Sequence, residues 1–334
     1  MRGPPRASSR PPLASLAPIV AAAVSYVLIA WMLTSKRLAL PLDRPNERSL
    51  HSTPVPRTGG LGIMAGTTAG LALAGYDSLV LLLAIALAGV SFLDDRRGLP
   101  IALRFGAHAI AAAIFALVCL PASAFLAMAL FTLATMWMIN LYNFMDGSDG
   151  LAGGMALFGF GAYAAGAWLG DAPAFASAAA SVAAAAGAFL LFNFHPARIF
   201  MGDVGSVPLG FLAAAMGLLG WQDGLWPLWF PVLVFSPFVV DASVTLARRT
   251  LRGERFWQAH KSHYYQRLVQ LGWGHRKTAL AEYALMGGCG LLALAARTAP
   301  EATQAAALGL AAAVYVVLAL SVDRVWHAHA KARR

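Results

Sequence analysis

The chain has 334 residues, of which 59% are hydrophobic and 12% charged, with a formal net charge of +10. A soluble globular domain is nearer half apolar and a quarter charged, so this composition excludes one. The positive charge has a ready source in the positive-inside rule, so nucleic-acid binding is not inferred from it. Cys119 and Cys289, the two cysteines, both lie inside apolar runs, and neither a disulfide framework nor a cysteine metal site is expected.

Residues 1–13 read as a disordered tail by composition. The apolar run after them is long enough to span, and no cleavage site follows a short one, so a cleaved signal is not expected. Eleven apolar runs follow, near 14–35, 60–76, 78–93, 105–120, 122–140, 151–169, 173–192, 206–221, 225–247, 279–297 and 304–322. Each is about the length a helix needs to cross a bilayer. The fold class expected is all-α: a polytopic integral membrane protein with a single transmembrane domain over 14–322 and a basic tail over 323–334. Of the 25 Lys and Arg, 21 fall in the loops after the odd-numbered spans and in the C-terminal tail. That bias predicts a periplasmic N-terminus and a cytoplasmic C-terminus. The basic N-terminal tail is the one dissent.

The loops on the opposite side are short. Five on the cytoplasmic side carry nearly all the polar sequence, which places the chemistry at one membrane face, where a water-soluble substrate can meet a lipid one. Loop one, "LDRPNERSLHSTPVPRTGG", offers Arg48, His51 and Arg57, with Pro45, Pro54 and Pro56 holding it extended. Loop two, "FLDDRRG", places Asp94 and Asp95 side by side, suited to metal-assisted phosphate chemistry or proton abstraction, or else to a solvated turn neutralised by Arg96 and Arg97. Loop three, "NLYNFMDGSDGLAGG", puts Asn140, Asn143 and Asp146 on one helical stripe if the fifth span continues, with Asp149 in the turn after Gly147. It holds no basic residue, so its carboxylates call for a cation or a hydrogen-bonding ligand. Loop four, "FNFHPARIFMGDVGS", sets Asp203 at the mouth of the eighth span between Gly202 and Gly205, where backbone can approach a ligand closely or the acid can cap the helix. Loop five holds His260, Lys261 and His263, the histidines at i, i+3 on one face of a helical stretch. The pair is half of a zinc site, but no Cys or "HExxH" accompanies it, and contact with diphosphate oxygens or an interfacial helix fits as well. His108 reads as a packed or lipid-edge residue, and His275, His327 and His329 as surface residues.

Together, "DRPNERSLH…PRTGG", "DDRRG", "NLYNFMDGSDGLAGG", "FNFHPARIFMGDVGS" and "HKSHYYQRL" resemble, in order, the motifs of the polyprenyl-phosphate N-acetylhexosamine-1-phosphate transferases. This is the membrane superfamily of the phospho-MurNAc-pentapeptide translocase and of the enzymes that initiate common antigen, O-antigen and teichoic acid. The resemblance covers about residues 40–270. It implies a Mg²⁺-dependent enzyme, with Mn²⁺ as the substitute ion, in the bacterial inner membrane with its site at the cytoplasmic face. A UDP-N-acetyl sugar would give its sugar-1-phosphate to undecaprenyl phosphate and release UMP. By the same resemblance Asp203 is the metal ligand, with Asp149 as a second candidate, and Asp94 and Asp95 stand near lipid phosphate or metal. Asn143, Asp146 and Asp149 hold nucleotide; Asn193 and Phe200 contact uridine; His260 and His263 contact the diphosphate; and Arg48, Arg57 and Lys261 join the substrate-binding set. Homodimers occur in the family, though nothing in this sequence shows one.

The translocase carries three consecutive histidines where this chain has "HKSHYYQ", so a MurNAc-pentapeptide substrate is not expected. The O-antigen branch, acting on FucNAc, QuiNAc or GlcNAc and serving lipopolysaccharide synthesis, fits better. The competing reading is a transporter or flippase, which predicts polar residues at midplane and internal repeats. No convincing repeat is found. A CDP-alcohol phosphotransferase needs an Ala-Arg soon after its first Asp-Gly, and "DGSDGLAGG" has none.

Overall fold

In lipid a lone segment can satisfy its backbone only as a helix, and the apolar runs form helices accordingly. The computed structural model describes residues 14–35, 40–45, 50, 53–254 and 260–332; the expected tail over 1–13 lies outside them. In chain order the helices are α1 (Ala17–Thr34), α2 (Gly59–Leu73), α3 (Ser78–Arg97), α4 (Ile101–Cys119), α5 (Phe125–Phe144), α6 (Leu151–Leu169), α7 (Pro173–Asn193), α8 (Asp203–Gln222), α9 (Trp229–Val234), α10 (Ser236–Leu251), α11 (Tyr264–Leu268), α12 (Gly274–Ala296) and α13 (Glu301–Ala332). A short 3₁₀ turn, Ala14–Leu16, leads into α1. A single π-type turn, Val269–Trp273, kinked at Gly272 (φ 93°), joins α11 to α12.

Among the described residues nine helices are long and apolar enough to cross a membrane, and each falls on an expected span. The second expected span is the shorter α2. The ninth is broken at Phe235 into α9 and α10. Proline is the cause of that break: Pro237 has no N–H to give to the carbonyl of Leu233, and Ser236 Oγ donates to it instead at 2.6 Å. The last helix also departs from expectation. Residues 323–332 continue α13, and Asp323 pairs with Arg248 and Arg267, at 2.8 Å for the latter, so this part of the chain is not a loose tail.

The polar ends of the helices are gathered by backbone bonds. Leu42–Asp43 (β1) and Val55–Pro56 (β2) pair antiparallel and hold the two arms of loop one together. The chain after β2 then zips onto loop four: Phe200 N donates to Pro56 O (2.7 Å), Gly59 N to Phe200 O (2.9 Å) and Gly60 N to Met201 O (2.8 Å). The first N–H groups of a helix have no partner within it, and loop four supplies partners for α2. The contact is backbone to backbone. A Cβ on Gly60 would lie 2.3 Å from Gly205 N, so α2 can meet the start of α8 here only without a side chain.

This contact generates a prediction. Overpacking a tight contact costs about 1–3 kcal/mol, and here no flexible side chain can give way. Gly60→Val is expected to lower thermal stability in detergent by at least about 2 kcal/mol, and Gly60→Ala by less, as measured by unfolding monitored through tryptophan fluorescence.

Candidate active site at the helix ends

Each acidic side chain is placed by the end of a helix. Gly98 (φ 66°) terminates α3, which leaves Asp94 and Asp95 in its last turn. The fifth helix stops at Phe144, so Asn143 is still helical and Asp146 lies in the turn beyond it; the expected stripe is interrupted there. Gly150 (φ 75°) opens α6 just after Asp149. Gly202 (φ 70°) precedes α8 and makes Asp203 its first residue rather than its cap. A side chain at 202 would also meet Arg57 O at 2.6 Å and Asp95 Oδ2 at 3.3 Å.

These ends surround a cavity of about 230 Å³ to which all five polar segments contribute. Loop one brings Asp43, Leu50 and Arg57; loop two brings Asp95; loop three brings Asn143 and the run from Asp146 to Asp149. Loop four brings Phe200, Gly202 and Asp203, and loop five brings Gln266 and His275. Seven of the residues expected at the site therefore share one cavity: Arg57, Asp95, Asn143, Asp146, Asp149, Phe200 and Asp203. Arg48 and His51 lie outside the described residues.

The paired aspartates divide. Asp95 faces the cavity, accepts from Val204 N and stands 3.6 Å from Arg57, whose guanidinium also donates to Asp95 O at 2.8 Å. Asp94 is outside the lining. Its carboxylate accepts from Leu99 N (2.6 Å) and from Arg104 (3.0 Å). The cations that serve this pair are thus Arg57 and Arg104, not the adjacent Arg96 and Arg97. Arg96 lies over the Phe92 ring instead. Arg104 also stands 4.0 Å from Asp203, which is hydrogen-bonded by the Asn143 side chain.

Asp146 accepts from Gly202 N. Burial, reinforced by the Asp203 and Asp95 carboxylates, pushes its pKa well above the usual carboxylate range. Asp149 is 6% exposed; its Oδ2 accepts from His195 Nδ1 (2.6 Å) and from Ala197 N (3.1 Å). Those bonds commit one of its oxygens within the protein.

Asn193 lies behind the cavity. Its amide accepts from Gly150 N (2.9 Å) and donates to Ile199 O (2.8 Å), tying loop three to loop four. His260, Lys261 and His263 are likewise outside the lining, and the two histidines precede α11 rather than sharing a helical face. Ser262 Oγ donates to His260 Nδ1 (2.8 Å), which also takes the Ser262 N–H, so that nitrogen is an acceptor. Burial, with His263 and Arg249 beside it, holds the His260 pKa down at about 4, so the ring is neutral near pH 7. His263 is buried next to Asp241, at 3.3 Å.

Five residues here had no role in the sequence reading. Arg104 neutralises Asp94. Asp241, 6% exposed, accepts from Tyr264 N (2.8 Å) and Tyr265 N (3.0 Å) and so fixes the start of α11. His195 is oriented by Asp149. Gln266 lines the cavity. His275, read as a surface residue, is instead a clasp. Leu50 O can only accept, so His275 Nε2 donates to it (3.2 Å), and Nδ1 accepts from Ser148 Oγ (2.8 Å) and Asp149 N (3.4 Å). Its ring also stacks on His195, centroids 5.5 Å apart. One imidazole thereby touches loops one, three and four.

Comparison with known proteins agrees with this geometry. Residues 78–220 match the model of glycosyl transferase family 4. A probable undecaprenyl-phosphate N-acetylglucosaminyl 1-phosphate transferase of Bacillus subtilis is 30% identical over 292 residues, covering 80% of this chain and 82% of that protein. A decaprenyl-phosphate N-acetylglucosaminephosphotransferase of Mycolicibacterium smegmatis is 29% identical, covering 92% of this chain and 87% of that protein. A phospho-N-acetylmuramoyl-pentapeptide-transferase of Shouchella clausii is 29% identical over 65% of this chain and 76% of its own length. An all-α polytopic chain whose five polar segments close on one acidic cavity, and whose length is largely covered by such relatives, belongs to glycosyl transferase family 4, the membrane superfamily of polyprenyl-phosphate N-acetylhexosamine-1-phosphate transferases.

Proposed function

We propose that this chain transfers N-acetylglucosamine-1-phosphate from UDP-GlcNAc to undecaprenyl phosphate, releasing UMP, at the cytoplasmic face of a bacterial inner membrane. The observation that carries the reading is the cavity in which Asp43, Asp95, Asp146, Asp149 and Asp203 stand with Arg57. GlcNAc is chosen over FucNAc and QuiNAc because the relatives matching the larger share of the chain are named for it. The product would begin a lipid-linked cell-surface polysaccharide such as O-antigen.

The donor set fits Mg²⁺. It is built of carboxylate oxygens, which suit a hard cation. Among the described residues no three His, Cys, Asp or Glu side chains converge as a ready cage. Mg²⁺ commonly takes one or two carboxylates together with substrate phosphates and water, which is the arrangement this cavity offers. Asp203 is the residue that would hold the ion, with Asp146 or Asp95 next to it. Asp149, engaged by His195 and Ala197 N, is better placed to shape the nucleotide pocket. The bound ion would spread charge on the diphosphate.

The remaining work falls to side chains. Arg57 faces the cavity as a fixed cation for phosphate oxygens, and Phe200 offers an aromatic surface to a base. Asp94, held by Arg104 and Leu99 N, is a poor candidate for a mobile base. A phosphate monoester acceptor is already anionic near neutral pH. Alignment of its oxygen with the β-phosphorus is therefore the main requirement, and rigid helix ends supply it.

Two predictions follow from the acidic cavity. Membranes containing the protein, given UDP-GlcNAc, undecaprenyl phosphate and Mg²⁺, are expected to release UMP, and chelation to stop the release until Mg²⁺ is restored. Asp203→Asn should lower the rate by roughly 10²–10³, the scale on which removing one stabilising group from developing charge acts. Retained turnover in that variant would count against the metal assignment, and a UDP-sugar panel identifies the sugar.

The second concerns Asp146. A carboxyl whose folded pKa exceeds its unfolded one binds protons more tightly when folded, so its contribution to stability falls as pH rises through the folded value. In divalent-free detergent the wild type should therefore become more stable as pH is lowered from neutral. Asp146→Asn should be more stable than wild type at neutral pH and show a flatter dependence. Thermal unfolding across pH, with and without Mg²⁺, measures both, and the ion should reduce the difference between the two proteins.

A further inference from the structure

Of loop five, the segment "HKSHYYQRL" reaches the cavity through one side chain, Gln266. It is 7% exposed, while His260, Lys261 and His263 stay outside the lining. The orientation of its amide is set on both sides. Oε1 accepts from His263 N at 3.2 Å. Tyr265 OH donates to Phe144 O, and its oxygen accepts from Gln266 Nε2 and from Gly147 N. An amide nitrogen carries two hydrogens. One goes to Tyr265, which leaves the second for the cavity that Gln266 and Gly147 line together.

The segment that carries this amide is itself anchored. Asp241 accepts from Tyr264 N and Tyr265 N and stands against His263, which fixes the first turn of α11 from below. A group whose acceptor is engaged by the protein offers only a donor. Phosphate oxygens offer only acceptors, whereas the edge of a uracil ring offers both kinds. A neutral donor also suits a cavity lined by carboxylates, because it forms no ion pair that would draw them from a cation.

We propose that the contact of this segment with the donor substrate is the amide N–H of Gln266 on a diphosphate oxygen, and that His263 and Asp241 are its mount. The inference rests on the transferase reading and names one contact within it.

The test is nucleotide binding to the full chain in detergent with Mg²⁺, using uridine, UDP and UDP-GlcNAc as probes in calorimetry. Gln266→Glu keeps an oxygen to accept from His263 N and removes the donor; Gln266→Ala removes both. Loss of a hydrogen bond to a charged group corresponds to roughly 10- to 100-fold in affinity. UDP and UDP-GlcNAc should each weaken by about 10-fold or more in both variants, more in the glutamate one, with uridine unchanged. Gln266→His should recover part of the affinity and make UDP binding tighten below about pH 6.5, a dependence that the amide itself cannot give. Unchanged UDP affinity would overturn the proposal. So would equal weakening of uridine and UDP, which marks a structural or base contact, or weakening of UDP-GlcNAc alone, which marks a sugar contact. A wild type that binds none of the three overturns the transferase reading itself.

Discussion

The site depends on a backbone zipper. Pro56 O, Phe200, Gly59, Met201 and Gly60 alternate as donors and acceptors between the end of loop one and the start of loop four. These are segments more than a hundred residues apart. Their union carries Arg57 to Asp95 and sets Asp203 in the same cavity as Asp146. The bare backbones at Gly60 and Gly205 are the steric condition for the union.

Around that seam, like charges are confined. Carboxylates from four of the five loops line one cavity, and repulsion among them is met by Arg57 inside, by Arg104 behind Asp94, by Asn143 on Asp203 and by backbone N–H groups on Asp95, Asp146 and Asp149. This is electrostatic preorganisation in a plain form: oxygens held in place by helix ends and by the donors fixed around them. The division of Asp94 from Asp95 has the same origin. A single residue step, about a hundred degrees around the helix axis, separates a carboxylate tied to Leu99 N and Arg104 from one that looks into the cavity.

Much of this was legible in the sequence, for identifiable reasons. Apolar runs of spanning length are a strong signal, and the two compromised by length or by proline, α2 and α9–α10, departed from it. Asn143, Asp146 and Asp149 stood out as acids and amides in a loop without a basic residue, and Asp203 as an acid between two glycines at the mouth of a span. The partners did not stand out, because a partner is a fact of tertiary structure. Arg104 is ten residues from Asp94, His275 lies 127 residues from Ser148, and neither spacing has a local signature. Asp241 had one: an acid inside the apolar run "FVVDASV" is costly unless it is engaged, and here it holds α11. The histidines of loop five are the opposite case. They are conspicuous as residue types, yet their rings support the segment while an unremarkable glutamine meets the cavity.

The π-type turn between α11 and α12 has a consequence for how such a chain can change over evolutionary time. Gln266 and His275 lie on either side of Val269–Trp273, and both must face the same space. Gain or loss of one residue in a surface loop is usually absorbed. In a helical connector it would swing one flank by about a hundred degrees against the other. The length of this stretch is therefore constrained more tightly than its composition, and Gly272 and Gly274, with their positive φ, add the demands on identity. Indels should be rarer there than substitutions.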